Sequence, residues 1–464
     1  MEFRYLDRLF NVVLSPVGMT LASIGILVIV LSFFTSRIAI GLCAMTFWVA
    51  SFSSNFRLEL WGPFQFLAVN GRAITILLLA ALTVTMLPYL RFPRLSWGVV
   101  GWFVFQLAWS IDFLFSGDYE KGGTGLVSVV LIFICFGIGM NGLMDSVQNA
   151  RRVLNIYLLS SLIFLAGCCV QLVMDRSAVA SGRFYGTSFN PQAAGWILAT
   201  AAMNILAAWS IREKKSLLMR ILLVGAGLLS LNFLVWTVSR TSWLMFIFGC
   251  LVFFRRRIGT LIFGFLPILI IAIAYIFWQG SAVDSDEYTI DSGPVQSSAA
   301  SVAMARDLTQ NTRLGMFQSL WNLFLQSPVV GQPYYVIGEC SYLAVAAAMG
   351  IVGITIMGLA FLGGMVDLLR VHRYRHELCR EDQVMFDYVA ATLAMLGVGG
   401  LLDGTMLGLV TLWGFFPYYI LTLLNYLVRR VDEAGIPVSL YPVMPDGSFS
   451  VATQAFGGFH SRRR

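Results

Sequence analysis

Charge is what this chain has least of. Asp, Glu, Lys and Arg together make up 12% of its 464 residues, while 58% are hydrophobic. Soluble domains carry roughly a quarter charged residues, so with a mean hydropathy of +0.79 a water-covered globule is excluded. A nucleotide-driven machine is excluded too. No GxxxxGK[ST] run occurs, and no fingerprint glycine loop lies in the segments read below as cytoplasmic. The seven cysteines (43, 135, 168, 169, 250, 340 and 379) contain no CxxC pair or metal spacing, so neither a disulfide framework nor a zinc site follows. Histidine is equally scarce: His372, His376 and His460 all fall in segments read as cytoplasmic. The acidic run Asp284-Ser285-Asp286-Glu287 contains a D-x-D, but without an accompanying histidine it reads as a solvated loop. We expect no metal and no cofactor. The N-terminus has Arg4, Asp7 and Arg8 before an apolar run and no small-residue cleavage pattern, so it reads as retained.

What the chain has instead is a series of apolar runs. They fall near 17–35, 38–52, 72–90, 96–114, 124–144, 153–173, 191–210, 219–238, 241–254, 258–278, 341–366, 384–402 and 405–427. Most are long enough to span a bilayer as helices. The expected fold is an all-α polytopic membrane protein of about 12–13 helices, with residues 1–430 as the membrane domain and 431–464 as a polar cytoplasmic tail. The segment 53–71, with Arg57, Glu59, Trp61 and Pro63, reads as re-entrant or interfacial, so that twelve spans with both termini inside stand beside thirteen with the N-terminus outside.

The net charge of +7 comes from short basic clusters between apolar runs, which is the positive-inside signature and no sign of a nucleic-acid partner. Arg91/Arg94, Arg151/Arg152, Arg212/Lys214/Lys215, Arg255 to Arg257, Arg370 to Arg380 and Arg429/Arg430 can all lie in the cytoplasm at once. The loops near 115–123, 174–190 and 279–340 are then extracytoplasmic. Within the last, Leu314, Phe317, Leu320, Trp321 and Phe324 recur at helical spacing, predicting an amphipathic helix on the outer membrane face.

Five arginines fall on that outer side, against the positive-inside bias; Arg176 and Arg306 read as ordinary loop residues, while Arg183, Arg240 and Arg313 stand in contexts that are not merely solvated. Arg183 stands in Gly182-Arg-Phe-Tyr-Gly-Thr-Ser-Phe-Asn-Pro-Gln192, a polar loop running straight into an apolar helix. Asn190 reads as the N-cap and Pro191 as the first helical residue. A guanidinium beside the positive end of a helix dipole suits an anion, and in a membrane a lipid phosphate. Arg240 stands in the polar knot Thr237-Val-Ser-Arg-Thr-Ser242 between two apolar runs. The bland reading of each is an arginine snorkelling to the interface. Glu339, just before the apolar run at Cys340, reads as a general base towards a sugar hydroxyl or as a rim carboxylate paired with an arginine. Asp112 and Asp403 stand near outer helix ends, as helix-end residues or acceptor contacts.

In series, these motifs resemble the O-antigen ligase and polymerase superfamily of bacterial envelope glycan assembly. Arg183-Phe-Tyr-Gly186 precedes Asn190-Pro191-Gln192-Ala193, where the family has Arg-x-x-Gly and then Asn-Pro-Asn and a small residue. Ser239-Arg240 is followed by Arg255 to Arg257, and Arg313 leads a helix ending at Pro328-Val-Val-Gly331. Glu339-Cys-Ser-Tyr-Leu343 then precedes Gly350-Ile-Val-Gly353. The resemblance covers about residues 150 to 360. In ligases a histidine stands where this chain has Glu339, which favours the polymerase branch.

The resemblance implies metal-independent, inverting glycosyl transfer on the periplasmic side of a bacterial inner membrane. The donor is a glycan on undecaprenyl pyrophosphate. The acceptor is another lipid-linked repeat unit for a polymerase, or the lipid A core for a ligase. Arg183, Asn190, Arg240 and Arg313 hold the departing pyrophosphate, Tyr185, Gln192 and Tyr342 contact the substrate, and Glu339, the catalytic candidate in the place of the ligase histidine, stays open between base and rim carboxylate. Membrane lipids, a flippase and a chain-length co-polymerase are the implied partners. A non-enzymatic transporter or flippase of lipid-linked sugars is the remaining reading. It sits less well with charge concentrated at one face and a long outer loop.

Overall fold

The computed structural model describes residues 36–52, 60, 62–90, 94–174, 179–180, 183–188, 190–211, 216–256, 312–332, 340–402, 407 and 412–433. The expected spans at 17–35 and 258–278, the acidic run at 284–287, Glu339, Asp403 and the tail from 434 lie outside these residues.

The chain is an all-α, multi-pass membrane protein. Its helices are α1 (Ser36–Phe52), α2 (Gly62–Met86), α3 (Trp97–Phe115), α4 (Tyr119–Ile132), α5 (Val147–Met174), α6 (Pro191–Ile211), α7 (Leu217–Trp236), α8 (Arg240–Phe253), α9 (Thr312–Gln326), α10 (Ser341–Arg373), α11 (Arg380–Leu402) and α12 (Leu412–Glu433). Eight helices among the described residues are long and apolar enough to cross a membrane, and α1 and α8 are shorter apolar ones. The helix α2 starts ten residues before the apolar run at 72, with Pro63 as its second residue. Proline is tolerated there because first-turn N–H groups have no intrahelical partner anyway. The segment 62–71 is therefore the first turns of a span rather than a separate interfacial piece.

The last helix is the hub. Every described side chain of α12 from Leu412 to Val428 is buried. It touches α1, α3, α4, α5, α10 and α11. Shielding by protein explains why this helix carries polar groups that lipid would penalise. Thr422 Oγ1 donates to the Phe136 carbonyl at 2.9 Å, in the π-helical stretch Phe133–Met140 that continues α4. Asn425 Nδ2 donates to Asn141 Oδ1 at 2.8 Å, while its own Oδ1 accepts from the Ser96 N–H at the start of α3. Asp367 of α10 accepts from the Gly98 N–H at 2.8 Å, so two side chains from distant helices serve the first turn of α3.

The crossing of α3 on α10 is made by small residues. A Cβ on Gly101 would lie 2.8 Å from the Ala360 Cα, and one on Gly98 would lie 3.0 Å from the Gly364 Cα. Backbones approach this closely only where side chains are absent.

One end of the bundle gathers four of the six basic clusters; Arg91 and the cluster at 212–215 lie outside the described residues. Arg151 pairs with Glu381, Arg255 and Arg375 with Asp387, Arg370 with Asp432, and Arg430 with Asp382. Arg429 donates to the Asn141 and Met144 carbonyls. Clusters scattered over 280 residues of sequence thus meet at one end, as the alternation of spans requires. On α10, the exposed large apolar side chains run from Ile351 to Leu369, about 28 Å of helix at 1.5 Å per residue. That length matches the hydrocarbon core. Arg370 bounds it on the basic side and Gly350 on the other.

Candidate functional site

The loop before α6 folds inward. A short antiparallel hairpin pairs Val179 with Phe184 and Ala180 with Arg183. Phe184 then stacks on Phe233 of α7 with ring centroids 4.3 Å apart. Gly186 turns the chain at φ +54°, where a Cβ would also lie 2.7 Å from Cys168 Sγ. Only glycine meets both demands. Tyr185, Thr187 and Ser188 are buried. The Tyr185 ring, expected to contact substrate, is a core residue in this conformation, at 2% exposure.

Arg183 is the half-buried residue that links this loop to the next. Its Nε donates to the Thr237 carbonyl at 3.1 Å. Thr237 closes α7, and Arg240 opens α8 three residues later. Between them Val238 takes φ +51°, the left-handed conformation that β-branched residues avoid. Ser239 caps α8, its hydroxyl 2.8 Å from that of Ser242. Arg240 is exposed at the start of this helix.

The α6 start lies against the same corner. Asn190 Oδ1 accepts from the Gln192 and Ala193 N–H groups at 2.9 and 3.3 Å, an N-cap as expected. A Cβ on Gly195 would lie 2.3 Å from Ser242 Oγ, so the starts of α6 and α8 run side by side. The caps have a chemical consequence. Asn190 occupies two of the N–H groups that an anion at α6 would use, which leaves Arg183 and Arg240 as the main cationic donors of this corner. Gln192 is half-buried one turn below.

A second assembly stands at the same end. Gly350 breaks α10 with φ +62° and ψ −152°, a conformation open essentially to glycine alone. The freed Ile351 N–H donates to the Pro328 carbonyl at 2.8 Å, and the Gln332 N–H donates to the Ala347 carbonyl at 3.0 Å. Gly331, at φ +78°, lies so close that a Cβ would sit 1.9 Å from the Ala348 oxygen. The Pro328-x-x-Gly331 and Gly350-x-x-Gly353 motifs are therefore two halves of one clasp that fastens α9 to α10. Of the expected apolar face of α9, Leu320 is buried and Phe317 and Phe324 are half-buried, while Trp321 is exposed; beyond the helix Val329 and Val330 are exposed too.

Tyr342, half-buried on the first turn of α10, donates its hydroxyl to the Gly397 carbonyl of α11 at 3.1 Å. Two residues on, Gly399 admits Trp196 of α6, whose ring would lie 2.2 Å from a Cβ there. Through α11, then, Tyr342 shares an end of the bundle with the Arg183–Thr237–Arg240 corner. Arg313 is placed by its backbone on the first turn of α9, and its side chain lies outside the described residues, as does all of Glu339.

The corner is therefore a polar, cationic seam at the end away from the basic network. Thr237, Val238 and Ser242 belong to it, although nothing but a polar knot marked them in the sequence. No protein-family model matches this chain, and no curated protein matches it.

Proposed function

We propose that the chain is a glycosyltransferase of the bacterial inner membrane that polymerises undecaprenyl-pyrophosphate-linked oligosaccharide units at the periplasmic face. The observation that carries this reading is the Arg183–Thr237 bond, which joins two arginine-bearing segments 54 residues apart at the end away from the basic clusters. In this reading the acceptor sugar hydroxyl attacks the anomeric carbon of the donor. The bond from that carbon to the pyrophosphate oxygen breaks with inversion. Arg183, Arg240 and Arg313 bear the charge growing on the pyrophosphate, and Glu339 takes the hydroxyl proton. Guanidinium groups suit the role because they stay charged and hold phosphate oxygens bidentately.

Arg183→Ala, expressed at the normal level, is expected to abolish polymer, since losing one such donor costs about 10² to 10³ in rate. Near-normal polymer from that variant would sink the clamp. Deletion of the gene separates the related readings. Lost polymer with single repeat units still transferred fits a polymerase. Polymer stranded on undecaprenyl pyrophosphate points to a ligase, and units trapped on the inner leaflet point to a flippase.

Among the described residues, the break in α10 is the feature that favours transport, because transporters use discontinuous helices. Those breaks lie at the bilayer midplane beside ionisable groups. Here Gly350 stands at the edge of the lipid-exposed stretch, and Ala347, Ala348 and Val329 surround it. Polymerisation remains the better reading.

A further inference from the structure

Two guanidinium groups converge on one carboxylate at the basic end, with a third arginine next in sequence. Arg375, on the turn between α10 and α11, pairs with Asp387 and is 7% exposed. Arg255, just past α8, lies 3.1 Å from the same carboxylate. Arg256 is close enough for its charge to act on both Arg375 and Asp387. The neighbouring acids are committed elsewhere, Glu381 to Arg151 and Asp382 to Arg430. Among the described residues, the half-buried Arg255, the buried Arg375 and the exposed Arg256 have Asp387 as their one nearby uncommitted anion, and around the buried pair unbalanced charge is costly. The Arg375 Nε is moreover buried with no hydrogen-bond partner among the described residues.

The surroundings indicate what anion would balance this excess. Leu244, Phe248 and Leu251 are exposed at 41%, 45% and 50%, on one face of α8. Arg255 comes next in the same helical register. The stripe leads from the lipid-facing flank straight to the arginines, an arrangement of apolar track and cationic head. Inorganic anions have no use for the track.

We propose that Arg255, Arg256 and Arg375 form a site for the phosphate of an anionic phospholipid, whose acyl chains lie along Leu244, Phe248 and Leu251. Basic pockets between membrane helices bind anionic headgroups in this way. The site is at the opposite end of the bundle from the proposed glycan chemistry and is independent of it.

The test uses the full-length purified chain in detergent, with phosphatidylglycerol titrated by native mass spectrometry. Wild type is expected to retain one phosphatidylglycerol more tightly than phosphatidylcholine. The Arg255→Gln/Arg256→Gln double variant, which leaves the buried Arg375–Asp387 pair intact, is expected to bind that lipid roughly thirtyfold more weakly. Arg152→Gln/Arg220→Gln removes the same charge from the helices that flank the basic end and is expected to leave the affinity unchanged. Arg256→Gln alone, at an exposed position, gives a partial loss of about fivefold even if the double variant folds poorly. Equal losses in both double variants would mean diffuse surface charge and overturn the site. Inorganic phosphate displacing the lipid at equal concentration would overturn the phospholipid assignment in favour of a free-anion site.

Discussion

Val238 occupies the position just past a helix end where glycine is usual, because a left-handed residue there lets the chain leave the helix. At φ +51° its branched side chain crowds the backbone, a cost of about 1–2 kcal/mol. Its φ also sets the orientation of the peptide whose carbonyl receives Arg183 Nε. Val238→Gly is therefore expected to keep that carbonyl in place and to stabilise the protein by about 1 kcal/mol, read as a higher thermal midpoint in detergent. Val238→Pro would fix φ near −65° and turn the carbonyl away. It is expected to lose polymer as Arg183→Ala does, while Val238→Gly retains it. Equal activity in the proline variant would detach this corner from function. Nothing in the letters Thr-Val-Ser-Arg marks the strain, since it follows from where α7 and α8 are forced to meet.

At the scale of elements, apolar run length was enough to find most helices, because a chain crossing lipid must satisfy its backbone within each segment. The Asn190 cap and the amphipathic stretch at 314–324 were legible for similarly local reasons, a side chain meeting its own helix and a face repeating every turn. The clasp was not. Pro328 and Gly350 look like separate turn signals until a helix break places one carbonyl on the other's neighbour, a contact between residues 23 apart. Burial of the 183–188 loop was hidden for the same reason, as Tyr185 reads as a surface aromatic until Gly186 turns it inward. The clasp makes a sharp prediction. Gly350→Ala must relax a left-handed backbone and a Cβ 2.4 Å from the Val329 oxygen at once, costing about 2–4 kcal/mol. Hydrogen exchange is expected to quicken at the Ile351 and Gln332 amides in this variant and in Gly331→Ala. Unchanged protection there would mean that α9 is held to α10 by its apolar face alone.

At the scale of the whole molecule, α12 ties the bundle together. Its buried length joins helices from both halves of the sequence, and its last turn pairs Arg430 with Asp382 and Asp432 with Arg370, at the same end as the Arg255–Asp387–Arg375 cluster. Which way that network faces decides whether the Arg183 corner can be periplasmic, and Cys379 reports it. Cys379 sits on the α10–α11 turn at the basic end and is the exposed cysteine; Cys169 is half-buried and the other five are buried. A membrane-impermeant maleimide is expected to label the protein in inverted membrane vesicles and to leave it unlabelled in intact spheroplasts, with Cys379→Ser removing the signal. Partial desolvation pushes the Cys379 thiol above its ordinary range, so less thiolate is present at neutral pH and labelling is expected to quicken as pH is raised. Labelling from the outside would reverse the molecule in the membrane. The arginine corner would then face the cytoplasm, where a polymerase of exported, lipid-linked units has no substrate.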